Sequence, residues 1–281
     1  MKLFRRLTGS AGFGLSAALV LVVTSAGCSA GAIDAVELAP GALFEGLVAH
    51  WTFDDGAGLT LTDVAGSHHD GTLLTLTGTT WIPGQSGFGG ALRFDGSDQS
   101  EVQVPATFPQ PTASWSVAGW IRAPNISTAD LYATIISTEI PVSPTTNAGG
   151  WELNMRIGTP TNPDKAQSLY QYAYSQGTGA SNYTFAECDC FVSDTWVHVA
   201  GVFDADKKTI SIYQNGIFAS RKSAETLILM GSDVLYFGRW GFDSTRRLTG
   251  DLDDFVIYNR ALTQPEIKQL ARGPLPTTPP P

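Results

Sequence analysis

The acidic residues of this sequence fall into two groups whose types and spacing suit cation chemistry. Asp54-Asp55, Asp63 and Asp70 lie near the start, and Asp251, Asp253 and Asp254 near the end. Calcium takes roughly six to eight oxygen ligands from carboxylates, backbone carbonyls and water, with tolerant geometry. Glycine-rich acidic loops that converge in space can supply that shell. The same carboxylates can instead cap turns, because Asp accepts backbone N–H bonds and ends strands. Asp95, followed by Gly96, reads as a turn residue. A zinc site would need three or four His, Cys or carboxylate ligands. His50 and His198 fall inside strand-like runs, where packing accounts for them, and His68-His69 reads as a surface loop.

Catalytic constellations are harder to find. Glycosidases need two carboxylates about 5–9.5 Å apart. Glu101, Glu139, Glu152 and Glu187 stand isolated in the sequence. Asp251-Leu252-Asp253 puts alternate carboxylates on one strand face, without a glutamate partner. Within 46–272 there is no Gly-x-Ser-x-Gly elbow, no phosphate loop and no nucleophile with an adjacent base. Binding is therefore expected rather than catalysis. Aromatic rings are the natural sugar platforms, since the apolar face of a sugar stacks on Trp or Tyr. Trp51, Trp120 and Trp196 lie in strand-like runs and read as core. Trp151 and Trp240 flank glycines and are the expected ligand-binding residues. The best exposed candidate is Trp240-Gly241-Phe242, with Arg239, Arg246 and Arg247 around it. Tyr170, Tyr172 and Tyr174 share one face of a strand, which fits a binding surface or ordinary cross-strand packing.

The elements that must hold these residues read mostly as strands. Leu47 to Phe53, Ala91 to Phe94, Trp115 to Arg122, Tyr132 to Ser137 and Trp151 to Ile157 are β-prone. So are Ser168 to Ser175, Trp196 to Phe203, Leu235 to Gly238 and Phe255 to Tyr258. Thr209 to Tyr213 and Ile217 to Ala219 flank Gln214-Asn215-Gly216, a hairpin signal, because Asn-Gly tolerates the positive φ angles of a primed turn. Roughly ten to twelve such strands with Gly, Asp and Pro turns imply two packed antiparallel sheets. One helix is legible near the end. Thr263 and Glu266 have capping-box spacing, Pro265 fits the first turn, Ile267 and Leu270 would dock it, and Gly273 stops it.

Composition agrees. The 281 residues are 43 % hydrophobic and 15 % charged, with 30 glycines, 7 tryptophans and 3 cysteines. That excludes a disordered chain, a disulfide scaffold and a helical bundle. Residues 1–27 have the basic start (Lys2, Arg5, Arg6), the apolar run Ala11 to Val23 and the small residues of a secretory leader. Without that leader, 14 basic residues face 26 acidic ones, a formal charge of −12. Such a surface repels nucleic acid and attracts divalent cations. Outside the leader no run approaches the ~20 apolar residues of a membrane-spanning helix. Residues 28–45 read as a spacer, 46–272 as one domain, and 273–281 as a Pro-rich tail. In an oxidising compartment Cys188 and Cys190 can form a small-ring disulfide; free thiols or an intermolecular bond remain alternatives.

Two resemblances add to this. Thr24-Ser25-Ala26-Gly27-Cys28 resembles the lipobox of bacterial lipoproteins, with Ser25 in place of the usual Leu. That implies lipidation of Cys28, and Ser29 after it implies sorting to the outer membrane or cell surface. The second resemblance runs through about 46–271. Its opening is Leu47-Val48-Ala49-His50-Trp51-Thr52-Phe53-Asp54-Asp55-Gly56-Ala57-Gly58. Asp70-Gly71-Thr72-Leu73, Ala91-Leu92-Arg93-Phe94-Asp95-Gly96, Ser116-Val117-Ala118-Gly119-Trp120-Ile121 and Trp196-Val197-His198-Val199-Ala200 follow in order. Tyr213-Gln214-Asn215-Gly216 and Gly250-Asp251-Leu252-Asp253-Asp254-Phe255-Val256-Ile257-Tyr258-Asn259-Arg260-Ala261-Leu262 complete the series. Together they resemble the LamG-like jelly-roll domain of the concanavalin A-like lectin/glucanase superfamily. The least similar stretch is about 140–190. The resemblance implies an all-β, two-sheet antiparallel jelly-roll sandwich. It implies a structural Ca²⁺ between the first strand's loop and the last strand, with Asp55, Asp63 and Asp253 as side-chain ligands. The glucanases of that superfamily carry Glu-x-Asp-x-x-Glu on one strand, which this sequence lacks. The functional expectation is a lipid-anchored envelope module that binds carbohydrate or glycosylated material. A protein-adhesion module with another envelope protein as partner is the second expectation, and a glycosidase-like enzyme the last.

Overall fold

Alternation of apolar and polar residues produces strands wherever the sequence expects them, and several shorter ones besides. The computed structural model describes residues 38–39, 41–105, 108–109, 113–126, 132–138, 141–143, 146–147, 150–157, 168–175, 183–224, 234–241 and 246–276. The first strands are β1 (Leu47–Trp51), β2 (Thr60–Leu61), β3 (Gly71–Leu73), β4 (Thr79–Pro83), β5 (Gly90–Asp95) and β6 (Val102–Val104). Next come β7 (Trp115–Arg122), β8 (Tyr132–Ser137), β9 (Pro141–Ser143), β10 (Thr146–Asn147), β11 (Trp151–Ile157) and β12 (Ser168–Ser175). The last are β13 (Tyr183–Cys188), β14 (Val197–Asp204), β15 (Thr209–Gln214), β16 (Ile217–Ser223), β17 (Leu235–Phe237) and β18 (Thr249–Tyr258), followed by helix α1 (Gln264–Leu270).

They form two sheets. The first runs β16-β15-β14-β7-β18-β5-β4, with β1 also paired to β18. The second runs β13-β12-β11-β8-β17-β6-β3-β2. All these pairs are antiparallel. This is the jelly-roll sandwich the sequence implies, all-β with one short C-terminal helix. A separate β9–β10 ladder falls within the stretch least similar to the family.

The core lies between the sheets and is rich in rings. Phe237 stands edge-on to Trp51, Phe53 and Phe255, at centroid distances of 5.1, 5.6 and 5.5 Å. Along β7, Trp115, Val117 and Ile121 enter this core, while Ala118 packs in a second cluster on the first sheet's outer face. In β18 both Leu252 and Phe255 point inward although they are three residues apart. A bulge between Asp253 and Val256 allows it: Asp254 takes φ +49° and resets the alternation.

α1 forms because Thr263 and Glu266 close a capping box and Pro265 occupies the first turn. Its buried Ile267 and Leu270 roof the first sheet's outer face with Val256, Tyr258, Tyr213 and Leu262. Residues of the expected spacer and tail join this roof. Ala42–Phe44 form a 3-10 turn whose Leu43 and Phe44 pack there, and Leu275 is buried beside them. The Tyr258 hydroxyl donates to Leu43 O at 2.8 Å, and Arg260 donates to Glu45 O and Ala42 O at 2.7 and 2.9 Å. The hairpin turn has both expected positive angles, φ 49° at Asn215 and 77° at Gly216. Cys188 and Cys190 are joined by a disulfide, their Cα atoms 5.1 Å apart. No helix among the described residues is long and apolar enough to cross a membrane. The leader, Cys28 and Glu139 lie outside the described residues.

Candidate functional site

The acidic groups separate once folded. Asp63 is buried and works as a turn cap, its carboxylate accepting from the backbone N–H of His50, Ala65 and His69 at 2.9, 3.0 and 3.0 Å. Asp70 in turn accepts from Asp63 N–H. Asp55 is exposed and takes the N–H and hydroxyl of Thr62. The expected trio of Asp55, Asp63 and Asp253 is therefore corrected: each carboxylate of the first two is spent on its own loop. Among the described residues no three His, Cys, Asp or Glu side chains gather into a metal-holding group.

What meets Asp253 is Asp54. Strand alternation in β18 puts Asp251 and Asp253 on the outer face, with Leu252 inward. Asp251 is saturated by Arg93 and Arg122, through bonds of 2.7–3.1 Å. Asp253, wholly buried, accepts the Gln85 N–H at 2.7 Å on Oδ2, the Asp254 N–H also favours its charged form, and its Oδ1 has no partner. Burial pushes its pKa up to about 8, and the negative charges of Asp254 and Asp54 add to the rise. The loop from β4 to β5 is rich in glycine because it must bring backbone against these carboxylates. A Cβ at Gly84 would lie 2.4 Å from Asp253 Oδ2, and one at Gly89 would lie 2.1 Å from Asp54 Oδ1. Asp254 turns away to His50, 2.7 Å from its Nε2, both buried. His198 lies on the same outer face beside Trp120, and burial lowers its pKa to about 3, so it is neutral.

The aromatic candidates are also relocated. Trp151 is buried at 1 % exposure in the core, where alternation along β11 sends it inward with Leu153 and Met155. Trp240 is exposed by only 6 %, and its ring is covered by the Arg246 guanidinium 3.8 Å from the centroid. Neither is the open platform expected of it. Tyr170 and Tyr172 are buried in the core as well, so that stripe is packing. The side chains of Tyr174 and Phe242 lie outside the described residues.

The same alternation that buries Trp151 aims Glu152, Asn154 and Arg156 at the outer face of the second sheet. Register aligns Gln103, Tyr236, Ser137 and Glu152 across β6, β17, β8 and β11, with Asn154 opposite Thr134 beside them. Guanidinium groups stack on the rings of this face: Arg239 over Tyr236 at 4.5 Å, and Arg246 over Tyr132 at 4.3 Å as well as over Trp240. Glu101 pairs with Arg239 and Arg247 at 3.1 and 3.0 Å and accepts from Gln103 at 2.8 Å. Burial raises the Glu101 pKa, but these bonds and charges outweigh it and hold the group below its usual value. Glu152 goes the other way: burial raises its pKa, and Arg246 at 3.6 Å with the neighbouring Asn154 amide only partly offsets that. Glu101 and Glu152, isolated in the sequence, thus share a face. The available signal was the polar alternation of β11 and the arginines flanking Trp240.

Comparison with known proteins agrees with this architecture. The Laminin_G_3 family model, described as the concanavalin A-like lectin/glucanases superfamily, matches residues 94–268. No curated protein sequence matches the chain. Among solved structures, the binding domain of Paraclostridial Mosquitocidal Protein 1 superposes with a TM-score of 0.60 at 16 % identity, over 82 % of this chain and 52 % of that one. Domain 4 of AbnA, an extracellular arabinanase from Geobacillus stearothermophilus in complex with arabinotriose, gives 0.57 at 19 %, over 80 % of this chain and 98 % of that one. The ligand-binding domain of botulinum neurotoxin serotype D, in complex with N-acetylneuraminic acid, gives 0.57 at 15 %, over 81 % and 51 %. The chain spans about half the length of the toxin domains it matches. At these identities the likeness is one of fold.

Proposed function

Because the chain belongs to the concanavalin A-like lectin/glucanases superfamily, we propose that it is a carbohydrate-binding module, which binds rather than catalyses. The observation that carries this reading is the outer face of the second sheet. There the partly exposed rings of Tyr132 and Tyr236 are stacked by guanidinium groups, among carboxylates and amides in register. A ring face that holds a guanidinium also suits the C–H face of a sugar. The saccharides bound to the AbnA domain and to the serotype D toxin domain support the ligand class. The test is a glycan array probed with residues 29–281: saccharide hits are expected, and an array without any overturns the reading.

Two further parts belong to this proposal. Asp54 and Asp253 are hard oxygen donors beside a backbone-lined loop, and the partnerless Asp253 Oδ1 fits a calcium ion held there. Bound calcium would supply the positive charge that this buried carboxylate lacks. A melting temperature that is the same in calcium and in EDTA would remove it. The second part is the leader: Cys28 carries the lipid, and the outer membrane or cell surface is the location, which Cys28→Ala should test by releasing the protein from membranes. A protein partner in the envelope is the second reading of the function. Ile217 and Phe218 favour it, at 65 % and 42 % exposure beside the β15–β16 turn.

A further inference from the structure

The roof of α1 covers one end of the first sheet's outer face and leaves the other end open. Tyr258 faces Ser116 beneath the roof, and Asp251 faces Arg122 at the far end of the same β18–β7 pair. There Arg93, Asp251 and Arg122 stand in register across β5, β18 and β7. Asp251 is buried, and both guanidinium groups converge on it. Arg93 donates from Nε and Nη2 at 2.7 and 3.1 Å; Arg122 donates from Nε at 2.8 Å, and its Nη2 lies 2.7 Å from the same oxygen. Two positive charges thus share one negative charge. Asp251 is the one carboxylate whose charge bears on Arg93. Asp95 and Asp194, the nearest acidic residues along these strands, are held in their own turns by the Ser97 N–H and the Ser193 hydroxyl. Such a surplus stands out in a chain with 26 acidic residues against 17 basic ones. Glu101 also holds two arginines, but their side chains are only 19 % and 8 % exposed. Arg93 is 53 % exposed and Arg122 31 %. Asp251 engages the Nε and Nη2 of each, which leaves both Nη1 groups to solvent or a ligand. Trp196, one residue before β14, completes the cluster: its ring, partly exposed, has the Arg122 guanidinium 4.9 Å from its centroid.

We propose that Arg93, Arg122 and Trp196 form a subsite for an acidic saccharide, with both Nη1 groups on its anionic oxygens and the indole against its ring. The proposal rests on the carbohydrate-binding reading and adds a second site to it, on the first sheet. A guanidinium meets a planar carboxylate or a sulfate ester through parallel N–H groups, so two of them fix the position and the orientation of that group. One anionic group matches the one surplus charge. An aromatic ring beside it suits the apolar C–H face of the sugar that carries the group. A neutral saccharide would gain the ring alone and leave the surplus charge unmatched. The buried Asp251 preforms the site: it holds both arginine side chains before a ligand arrives, so less rotamer freedom remains to be lost on binding.

The experiment is an array of uronate-containing, sialylated, sulfated and neutral oligosaccharides, followed by titration calorimetry on its hits. It compares the wild type with Arg93→Gln, in which Arg122 still balances Asp251, and with Trp196→Leu, each verified as folded by near-ultraviolet circular dichroism. Acidic glycans should bind the wild type, and Arg93→Gln should bind them about tenfold more weakly, a factor worth ~1.4 kcal/mol. Its affinity for any neutral hit should be unchanged. Hits that are only carboxylated or only sulfated support the subsite and identify its anion. Neutral hits alone, equal affinity of Arg93→Gln for acidic glycans, or a parallel loss for neutral ones overturns the subsite and leaves the carbohydrate-binding reading standing. Absence of any glycan binding overturns both. If Arg93→Gln does not fold, Trp196→Leu decides: it removes none of the Asp251 bonds and should weaken acidic-glycan binding severalfold, and equal affinity overturns the subsite.

Discussion

The two sheets turn very different outer faces to the rest of the molecule. The first is roofed by its own chain: α1, the Ala42–Phe44 turn and Leu275 close over Val256, Tyr258 and Tyr213. The second carries Glu101, Glu152, Asn154 and stacked arginines in place of an apolar roof. A face that the chain covers with apolar side chains has its burial completed from within. The other face is covered through ion pairs and ring–guanidinium stacks instead. The contrast also appears at smaller scale, on one strand. Asp251 has two arginines, while Asp253, two residues on and on the same face, has backbone N–H groups only and an idle oxygen.

Four substitutions would break or sharpen this contrast, and the largest effect belongs to the second face. Glu101→Ala leaves the guanidinium of Arg247, 8 % exposed, without its counter-charge. Unfolding in denaturant should show a loss of about 3–5 kcal/mol; a loss under 1 kcal/mol would mean this face is more solvated than its geometry implies. On the first face, Ile267→Ala opens a hole under α1 and should cost about 2–4 kcal/mol. Its effect on glycan binding should be nil, and a joint loss of binding would erase the division of labour between the faces.

The third test concerns Asp253. Its pKa of about 8 in the fold stands above the ordinary 3.8, so the folded state keeps a proton that the unfolded chain has released. Ionisation therefore destabilises the fold progressively as pH rises from about 4 to about 8. In EDTA, Asp253→Asn should be more stable than wild type by on the order of 2 kcal/mol at pH 8.5, with the advantage gone near pH 4. A pH-independent difference would show that Asp253 is already ionised and matched. The smallest effect should come from Asp55→Ala: this exposed residue serves only Thr62, and a change within about 0.5 kcal/mol is expected, with no loss of any calcium-dependent rise in melting temperature.

Much of the scaffold was legible because local pattern determined it. Trp115–Arg122, Tyr132–Ser137, Trp151–Ile157 and Ser168–Ser175 run to the expected residues, since each has strong β-formers and clear flanking breakers. The helix was legible from its cap. Three-residue strands such as Gly71–Leu73 and Val102–Val104 were not, being too short to show a period. The site was less legible for a different reason. Whether an aspartate binds a cation or caps its own loop depends on which N–H groups the loop brings near, and Asp63 already has three. Glu152 looked solitary because its neighbours Ser137 and Thr134 come from another strand, and register is a property of the pair. Trp151 reads as a ligand-binding ring because glycines precede it, whereas its position on the expected strand sends the ring inward with Leu153 and Met155.

The contact of Ala42–Glu45 with Tyr258 and Arg260 has a mechanical consequence. The chain comes into the sandwich and goes out of it at one corner, where Leu47 is the first rung against Tyr258. A force pulling these two points apart would load β1 and β18 one rung at a time, from that pair toward Trp51–Phe255, because the strands are antiparallel and held at the same end. The strands would peel rather than shear, once the arginine and tyrosine fastenings had given way. Anything attached at that corner therefore pulls on the weakest direction of the first sheet, and the Arg260 and Tyr258 bonds are what it would meet first.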